Sequence, residues 1–307
     1  GLLEGCTSAV VGAAARLALE HSDPRALDQP RLNLQRILWL HEVQGGRFDD
    51  ALALAEATLQ LAEADGDPAR QVQALAMLHF SAFKSGAFDR ARQALARADA
   101  LAAGVQPADD LYARFFGQQA HERRLIEAMI DTLEGRPDVG DAGTLRRMSE
   151  TDYTPMGRVL NGLLCGLWRA WRGDAAAVAE DTQALLALIE REELGSGAPP
   201  LRVLLHWAQG VQGDASAALP ALRVALAEAL AGAPRAEHAA LLELAADLSL
   251  RARRPDDAAA DLAAAWAHVE ATGERYAKGL LQRRQAQLDA LAAATTPRDA
   301  TAGERRG

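Results

Sequence analysis

Three scarcities limit what this 307-residue chain can be. Only two cysteines occur, Cys6 and Cys165, and their wide separation gives neither a disulfide framework nor a metal-binding spacing. Only two lysines occur, Lys84 and Lys278; the other 31 basic residues are arginines, which indicates a high-GC bacterial genome rather than a function. Aromatic residues make up only 5% of the chain, so its core must be built from alanine and leucine.

The sequence also has little that would direct it to a sheet or a membrane. We find no convincing run with the alternating pattern of a strand. The most apolar N-terminal run, residues 9–19, carries Arg16 and is too short to cross a bilayer. The first charge is Glu4, whereas a secretory leader begins with basic residues. We therefore expect a cytoplasmic protein with no membrane contact. Because the chain starts with glycine and residues 6–21 resemble the second helix of a pair, we also expect a fragment of a longer protein.

Catalytic motifs and metal-binding motifs are missing from the sequence as well. The net charge of −9 argues against a basic surface that binds a phosphate backbone, so we expect no direct nucleic-acid contact. There is no Gly-rich nucleotide loop, no H-E-x-x-H pair and no nucleophile elbow around a serine. The pair His121-Glu122 is better explained as a solvated helix face, and the equivalent repeat positions of His79 and His206 favour packing. The sequence therefore predicts no enzyme, no cofactor and no metal.

A short turn recurs along the chain. Its clearest copies are residues 86–91, Gly-Ala-Phe-Asp-Arg-Ala, and residues 46–51, Gly-Arg-Phe-Asp-Asp-Ala. Related copies start at positions 173, 213 and 253, so three of the steps are 40 residues long, and a weaker copy over 135–138 fills the gap. A fixed period of this size is typical of helical repeat arrays.

The chemistry of this turn explains why helices would pair around it. Glycine accepts the left-handed conformation that ends a helix, and an aspartate two or three residues later can cap the next helix. The alanine that follows is small enough for close packing. We predict fourteen helices and no sheet, arranged as six antiparallel pairs with a half pair at each end. The predicted helices cover residues 6–21, 28–44, 49–64, 69–85, 89–103, 110–134, 141–149, 156–172, 175–193, 201–212, 215–231, 235–252, 256–271 and 274–292.

In register, these repeats resemble the tetratricopeptide family. The turn matches that family's Gly-Asp-Tyr-x-x-Ala closely, and a large apolar residue or cysteine stands eight positions before it, at 38, 78, 165 and 205. The next position should be small, and Gly166 and Ala246 fit, whereas Trp39, His79 and His206 do not. The period exceeds the family's usual 34 residues, which implies longer, more loosely packed helices. The resemblance implies an all-α, right-handed superhelix of about six helix pairs plus flanking helices over residues 1–293. A hinge is predicted near 150–155 and a disordered tail over 294–307.

The segment Ala271–Tyr276, with the Leu- and Arg-rich run that follows, resembles the last repeats of large bacterial signalling ATPases. These include maltose-regulator-like transcription activators and cyclase-linked ATPases, and the sequence likeness covers about residues 235–290. In that family this region is a sensor or docking arm, and the nucleotide site lies upstream. The resemblance implies a regulatory role and a partner in an upstream ATPase or output domain.

In a tetratricopeptide array the first helix of each pair lines the concave face. We therefore predict an apolar groove with a few basic groups, suited to a peptide, an amphipathic helix or a partner domain. Trp171 is the best candidate for a binding anchor, because Trp168 on the same helix supplies the core contact. A small-molecule effector in the same groove is the alternative. The predicted groove residues are Arg36, Leu40, Gln73, Phe80, Lys84, Leu167, Trp171, Trp207 and Arg251.

Overall fold

The computed structural model describes residues 8–23, 27–103, 119–136, 155–194, 197–231 and 236–295. Within these ranges the protein contains thirteen α-helices and no strand, so the all-α prediction is confirmed for them. The predicted helix over 141–149 and residues 150–154 of the predicted hinge lie outside them. The helices are α1 (Ala9–Glu20), α2 (Gln29–Gln44), α3 (Phe48–Asp65), α4 (Pro68–Lys84), α5 (Phe88–Ala102), α6 (Gln119–Leu133), α7 (Pro155–Trp171), α8 (Ala175–Arg191), α9 (Ala198–Gln212), α10 (Ala215–Ala231), α11 (His238–Arg251), α12 (Pro255–Thr272) and α13 (Lys278–Thr295).

The helices pack in two ways that together give a repeat-like architecture. Helices that follow one another directly pack side by side, with α4 against α5, α9 against α10 and α11 against α12. In addition, α2 contacts α4, α7 contacts α9, and α9 contacts α11. Each pair thus presents its first helix to the first helix of the next pair, as in arrays whose units contact their neighbours.

The recurring turn ends its first helix as the sequence predicts. Gly46 and Gly86 have φ angles of +69° and +76°, the left-handed conformation in which glycine has no Cβ penalty. The amide of Arg47 donates to Glu42 O at 2.9 Å, and that of Ala87 donates to Ala82 O at 2.8 Å. These bonds satisfy carbonyls at the helix end, so the glycine closes the helix and turns the chain back.

The predicted role of the aspartate in these turns is only partly correct. Helix α3 begins at Phe48 and α5 at Phe88, so Asp49 and Asp89 lie inside the first turn and make no capping bond. The phenylalanine occupies the first helical position because its ring is drawn into the core there. Asp174 directly follows its turn glycine rather than standing two or three residues later, and there its side chain accepts from the amide of Ala177 at 3.2 Å and caps α8.

Helix α11 lies at the centre of the fold. Its residues 238–249 are all buried, on every side of the helix. In an open array the inner face of such a helix would meet solvent, but here α13 packs against it. The inner side of the last repeats is therefore covered by the end of the chain itself.

The connection between α12 and α13 departs from the prediction. Helix α12 ends at Thr272 and is followed by Gly273, whose φ is +78°. Helix α13 begins only at Lys278, four residues after the predicted start at Glu274. The amides of Arg275 and Tyr276 donate to Lys84 O, at 2.8 and 3.2 Å, instead of entering a helix. At its other end α13 continues to Thr295, two residues into the predicted tail.

The buried apolar residues form two clusters that meet at α4. The smaller cluster joins α2 to α5 and includes Leu32 and Phe48. The larger runs from the end of α4 to α13, and Phe80 packs against both. No helix within the described ranges is both long and apolar enough to cross a membrane.

Candidate functional site

The nine predicted groove residues fall into three groups rather than one continuous groove, and the first group is spread over both core clusters. Arg36 and Gln73 are buried, and the guanidinium of Arg36 donates to the Gln73 amide oxygen at 3.1 Å. Leu40 is half-buried and packs against the smaller core cluster. Leu167 is fully buried in the larger cluster. These four side chains belong to the interior of the array in this conformation.

A second group surrounds Asp247 of α11. The indole N–H of Trp207 donates to Asp247 Oδ2 at 2.8 Å, and Arg251 Nε donates to the same oxygen at 2.9 Å. Arg284 of α13 contacts the other carboxylate oxygen at 2.8 Å and donates to Glu243 at 2.6 Å. Trp207 is thus a buried core residue whose indole N–H is satisfied by Asp247, whereas Arg251 remains exposed.

The third group is the most unusual, because it brings together charged side chains from distant parts of the chain. Lys84 Nζ pairs with Glu237 and lies 3.4 Å from Glu274 Oε1. The hydroxyl of Tyr276 donates to Glu237, and the amide of Glu237 donates to Glu274 Oε1 at 2.8 Å. All four residues are buried. We call them the charged cluster: Lys84, Glu237, Glu274 and Tyr276.

Burial sets the proton affinities in the charged cluster. Burial raises the pKa of Glu237 and outweighs the attraction of Lys84. Burial also works to raise the pKa of Glu274, but Lys84 and His268 outweigh it and hold the pKa below its usual value. Burial, with the two carboxylates beside it, raises the pKa of the Tyr276 phenol well above its usual value. Glu274 therefore loses its proton more readily than Glu237, and the hydroxyl of Tyr276 keeps its proton and donates a hydrogen bond.

Aromatic rings surround the ammonium of Lys84. It lies 4.5 Å from the ring centre of Tyr276, 5.5 Å from that of Phe80 and 5.8 Å from that of Phe83. Phe48, from the turn at 46–51, is 5.9 Å away. Cation–π attraction of this kind stabilises a desolvated ammonium group. Lys84 is thus the charge partner of two carboxylates. It also lies against the rings of Phe48, Phe80 and Phe83, which we call the aromatic wall.

A five-residue stretch, Gly273–Ala277, enters this wall, and we call it the docked segment. Its backbone is fixed by the two amides bonded to Lys84 O. At the surface Arg275 makes two bonds to the carboxylate of Asp49, at 2.7 and 3.2 Å. The hydrogen bonds from Arg275 lower the pKa of Asp49. The recurring turns at 46 and 86 therefore form part of the surface that receives the docked segment.

Trp171 borders the docked segment. Its ring centre lies 6.0 Å from that of Tyr276, and its side chain is half-buried. Its indole nitrogen is buried and has no hydrogen-bond acceptor. By contrast, Trp168 donates to Thr132 Oγ1 at 2.9 Å and Trp207 donates to Asp247. An unsatisfied buried donor costs free energy, so the N–H of Trp171 is a group that an incoming acceptor would satisfy.

Sequence reasoning placed Phe80, Lys84 and Trp171 at this site but missed its carboxylates. In the sequence, residues 274–276 contribute only to the family resemblance. For the separate group around Asp247 the sequence does carry a signal, because Glu243 and Asp247 interrupt an Ala- and Leu-rich helix at a spacing of four. Charges at such positions indicate buried pairs. Among the described side chains, no group of three or more His, Cys, Asp or Glu could hold a metal ion.

Comparison with known protein families, with curated proteins and with solved structures finds no match for this chain.

Proposed function

We propose that this chain is a non-catalytic, tetratricopeptide-like right-handed superhelix that binds a protein or peptide partner in its concave groove. It acts as a regulatory domain of a larger, cytoplasmic bacterial ATPase that controls signalling or transcription. The recurring turn and the contacts between successive first helices support the superhelix. The partner is an upstream ATPase or output domain, as the resemblance of residues 235–290 suggests.

One observation carries this proposal: a short non-helical stretch of polypeptide is already bound between the first helices of the array. The docked segment is not helical, and its backbone amides bond to a main-chain oxygen of α4. Its tyrosine enters an aromatic wall, and its glutamate meets a lysine. Backbone bonds that give affinity and side-chain pockets that give specificity are a recurring combination in peptide recognition.

A small-molecule effector is the second candidate, and a separate cavity favours it. This cavity has a volume of about 430 Å³ and lies between α8 and α9. Its lining includes Ile189, Glu190 and Arg202 but none of the nine predicted groove residues. An effector bound there would act at a distance from the docked segment.

The test is to supply the parent protein's upstream domain in trans and to measure its binding by calorimetry. The Trp171→Ala variant is expected to bind at least about tenfold more weakly, because truncating an aromatic anchor costs ~1.4 kcal/mol or more. Its helical content should be unchanged. Trp266→Ala is the matched control, since Trp266 is also half-buried but lies on α12, a second helix. If Trp171→Ala melts early and binds normally, the residue is core and the groove assignment fails.

A further inference from the structure

We infer that the docked segment is an internal competitor, and that the partner carries the same chemistry: a carboxylate followed two residues later by an aromatic side chain. This inference rests on the proposed function, because it identifies the ligand class of the same groove. It adds a regulatory contact, since a partner binds only when Gly273–Ala277 leaves.

The groove has the features that such a sequence requires. The ammonium group of Lys84 is available to a carboxylate of the bound sequence, as its contact with Glu274 shows, and it lies beside the aromatic wall. The main-chain oxygen of Lys84 accepts two successive amides, which fixes the register of the bound chain. Tyr276 then falls between Phe83, at 4.9 Å between ring centres, and Trp171. An acidic residue and an aromatic residue two positions apart therefore occupy two defined subsites.

Two features indicate that self-docking is imperfect. Glu237, which accepts from both Lys84 and Tyr276, has a φ of +72°, a conformation that costs free energy for a residue with a side chain. The indole N–H of Trp171 finds no acceptor in the docked segment. A partner with an acceptor at that point would gain a hydrogen bond that the chain's own segment does not make.

The surface ion pair between Arg275 and Asp49 makes the competition testable. Arg275 and Asp49 are both substantially exposed, so Arg275→Ala removes their bonds and leaves the buried groove in place. Tyr276→Phe removes one hydroxyl bond to Glu237 and keeps the ring. A free peptide with the native sequence retains both groups and can use Asp49 and Glu237 fully. The doubly substituted chain therefore has a weakened internal competitor and an intact receptor.

The probe is a fluorescein-labelled peptide with the sequence of residues 271–278, Ala-Thr-Gly-Glu-Arg-Tyr-Ala-Lys, titrated with the full chain and followed by anisotropy. The Arg275→Ala/Tyr276→Phe chain is expected to bind it about tenfold more tightly than the unaltered chain. Peptides with Glu274→Gln or Tyr276→Ala should each bind at least about tenfold more weakly to that variant. Arg254→Ala is the control, because Arg254 is exposed and pairs only locally with Asp257.

Equal affinity of the two chains for the native peptide would overturn the inference, as would equal binding of the native and substituted peptides. Hydrogen exchange gives a second readout: the amides of Arg275 and Tyr276 should exchange faster in the variant, while those of α9 stay protected. The upstream-domain experiment separates the two ideas. If the upstream domain binds in a Trp171-dependent way and the peptide does not compete, the proposed function stands and self-competition is wrong. If the peptide behaves as expected and the upstream domain does not bind, the competitor is real and the proposed partner is wrong.

Discussion

The ammonium group of Lys84 lies 3.4 Å from a carboxylate oxygen of Glu274, although 190 residues separate the two in sequence. A strictly one-dimensional array would contain no such contact, because each unit would touch only its neighbours. Here the connection between the last two helices returns to the turn after α4. The N-terminal and C-terminal repeats are therefore coupled directly as well as through the units between them.

Lys84→Met tests the energetic role of that coupling. The substitution leaves Glu237 and Glu274 buried without their cation, and removing one partner of a buried pair typically costs about 3–5 kcal/mol. We expect urea unfolding to show a loss of that order. Adding Glu237→Gln to the variant should restore part of it.

The control for this experiment is built into the sequence. Lys278, the second of the two lysines, is exposed at the start of α13, so Lys278→Met should change the free energy of unfolding by about 0.5 kcal/mol or less. Similar losses for the two lysine variants would show that the charged cluster contributes no more than a surface residue.

The helices were predictable because their signals are local. Short stretches of sequence contain both the left-handed glycines at 46 and 86 and the apolar periodicity between the turns. Helix α10, for example, has the predicted bounds of 215–231. The start of α13 was not predictable in this way. Glu274, Arg275 and Tyr276 suit a helix well enough, but they make contacts with residues distant in sequence instead, among them the bonds to Lys84 O.

The site was predictable in part, for a related reason. The repeat register placed Phe80, Lys84 and Trp171 on the inner face, and all three meet around Tyr276. The same register assigned Trp207 to an open groove, but Trp207 is buried and Asp247 of α11 accepts its N–H. A register gives the direction of a side chain; it does not show which distant segment will cover it.

His79 should make the protein sensitive to acid. Burial lowers the pKa of His79 from 6.5 to about 4, with Arg123 adding to the effect and the bond to Ala91 O opposing it. The unfolded chain therefore binds a proton at His79 more readily than the folded chain does. The contribution of neutral His79 to the free energy of unfolding is complete above pH 6.5 and is lost as pH falls towards 4. For these pKa values the loss between pH 7 and pH 5 is about 2 kcal/mol.

Urea unfolding at the two pH values measures this effect. His79→Gln should show a shallower decline than the unaltered chain between pH 7 and pH 5. His206→Gln controls for the loss of a histidine, since His206 stands at the equivalent repeat position, is only half-buried and contacts Gln209. Parallel declines in the unaltered chain and the His79 variant would contradict the assignment.

Cys165 should resist thiol reagents while the protein is folded. Burial raises the pKa of the Cys165 thiol from 9.0 to about 12, so at pH 8 its thiolate is roughly a thousandfold scarcer than in an unfolded chain. In a Cys6→Ser background, Ellman's reagent should label Cys165 slowly in buffer and rapidly in urea. Equally rapid labelling of the folded and the unfolded chain would contradict the raised thiol pKa.

Alanine substitutions at Gly86 and Gly173 together distinguish the cost of backbone strain from the effect of displacing the docked segment. Both have left-handed φ angles, +76° and +79°, so alanine at either position carries the same conformational cost of about 1 kcal/mol. At Gly173 a new Cβ would meet nothing within 4 Å, whereas at Gly86 it would lie 3.2 Å from Arg275 O, tight enough to push the docked segment outward. We therefore expect Gly86→Ala to lower the free energy of unfolding more than Gly173→Ala and to speed exchange of the Arg275 and Tyr276 amides. Gly173→Ala should leave those amides protected. Equal exchange in the two variants would show that the turn after α4 does not hold the docked segment in place.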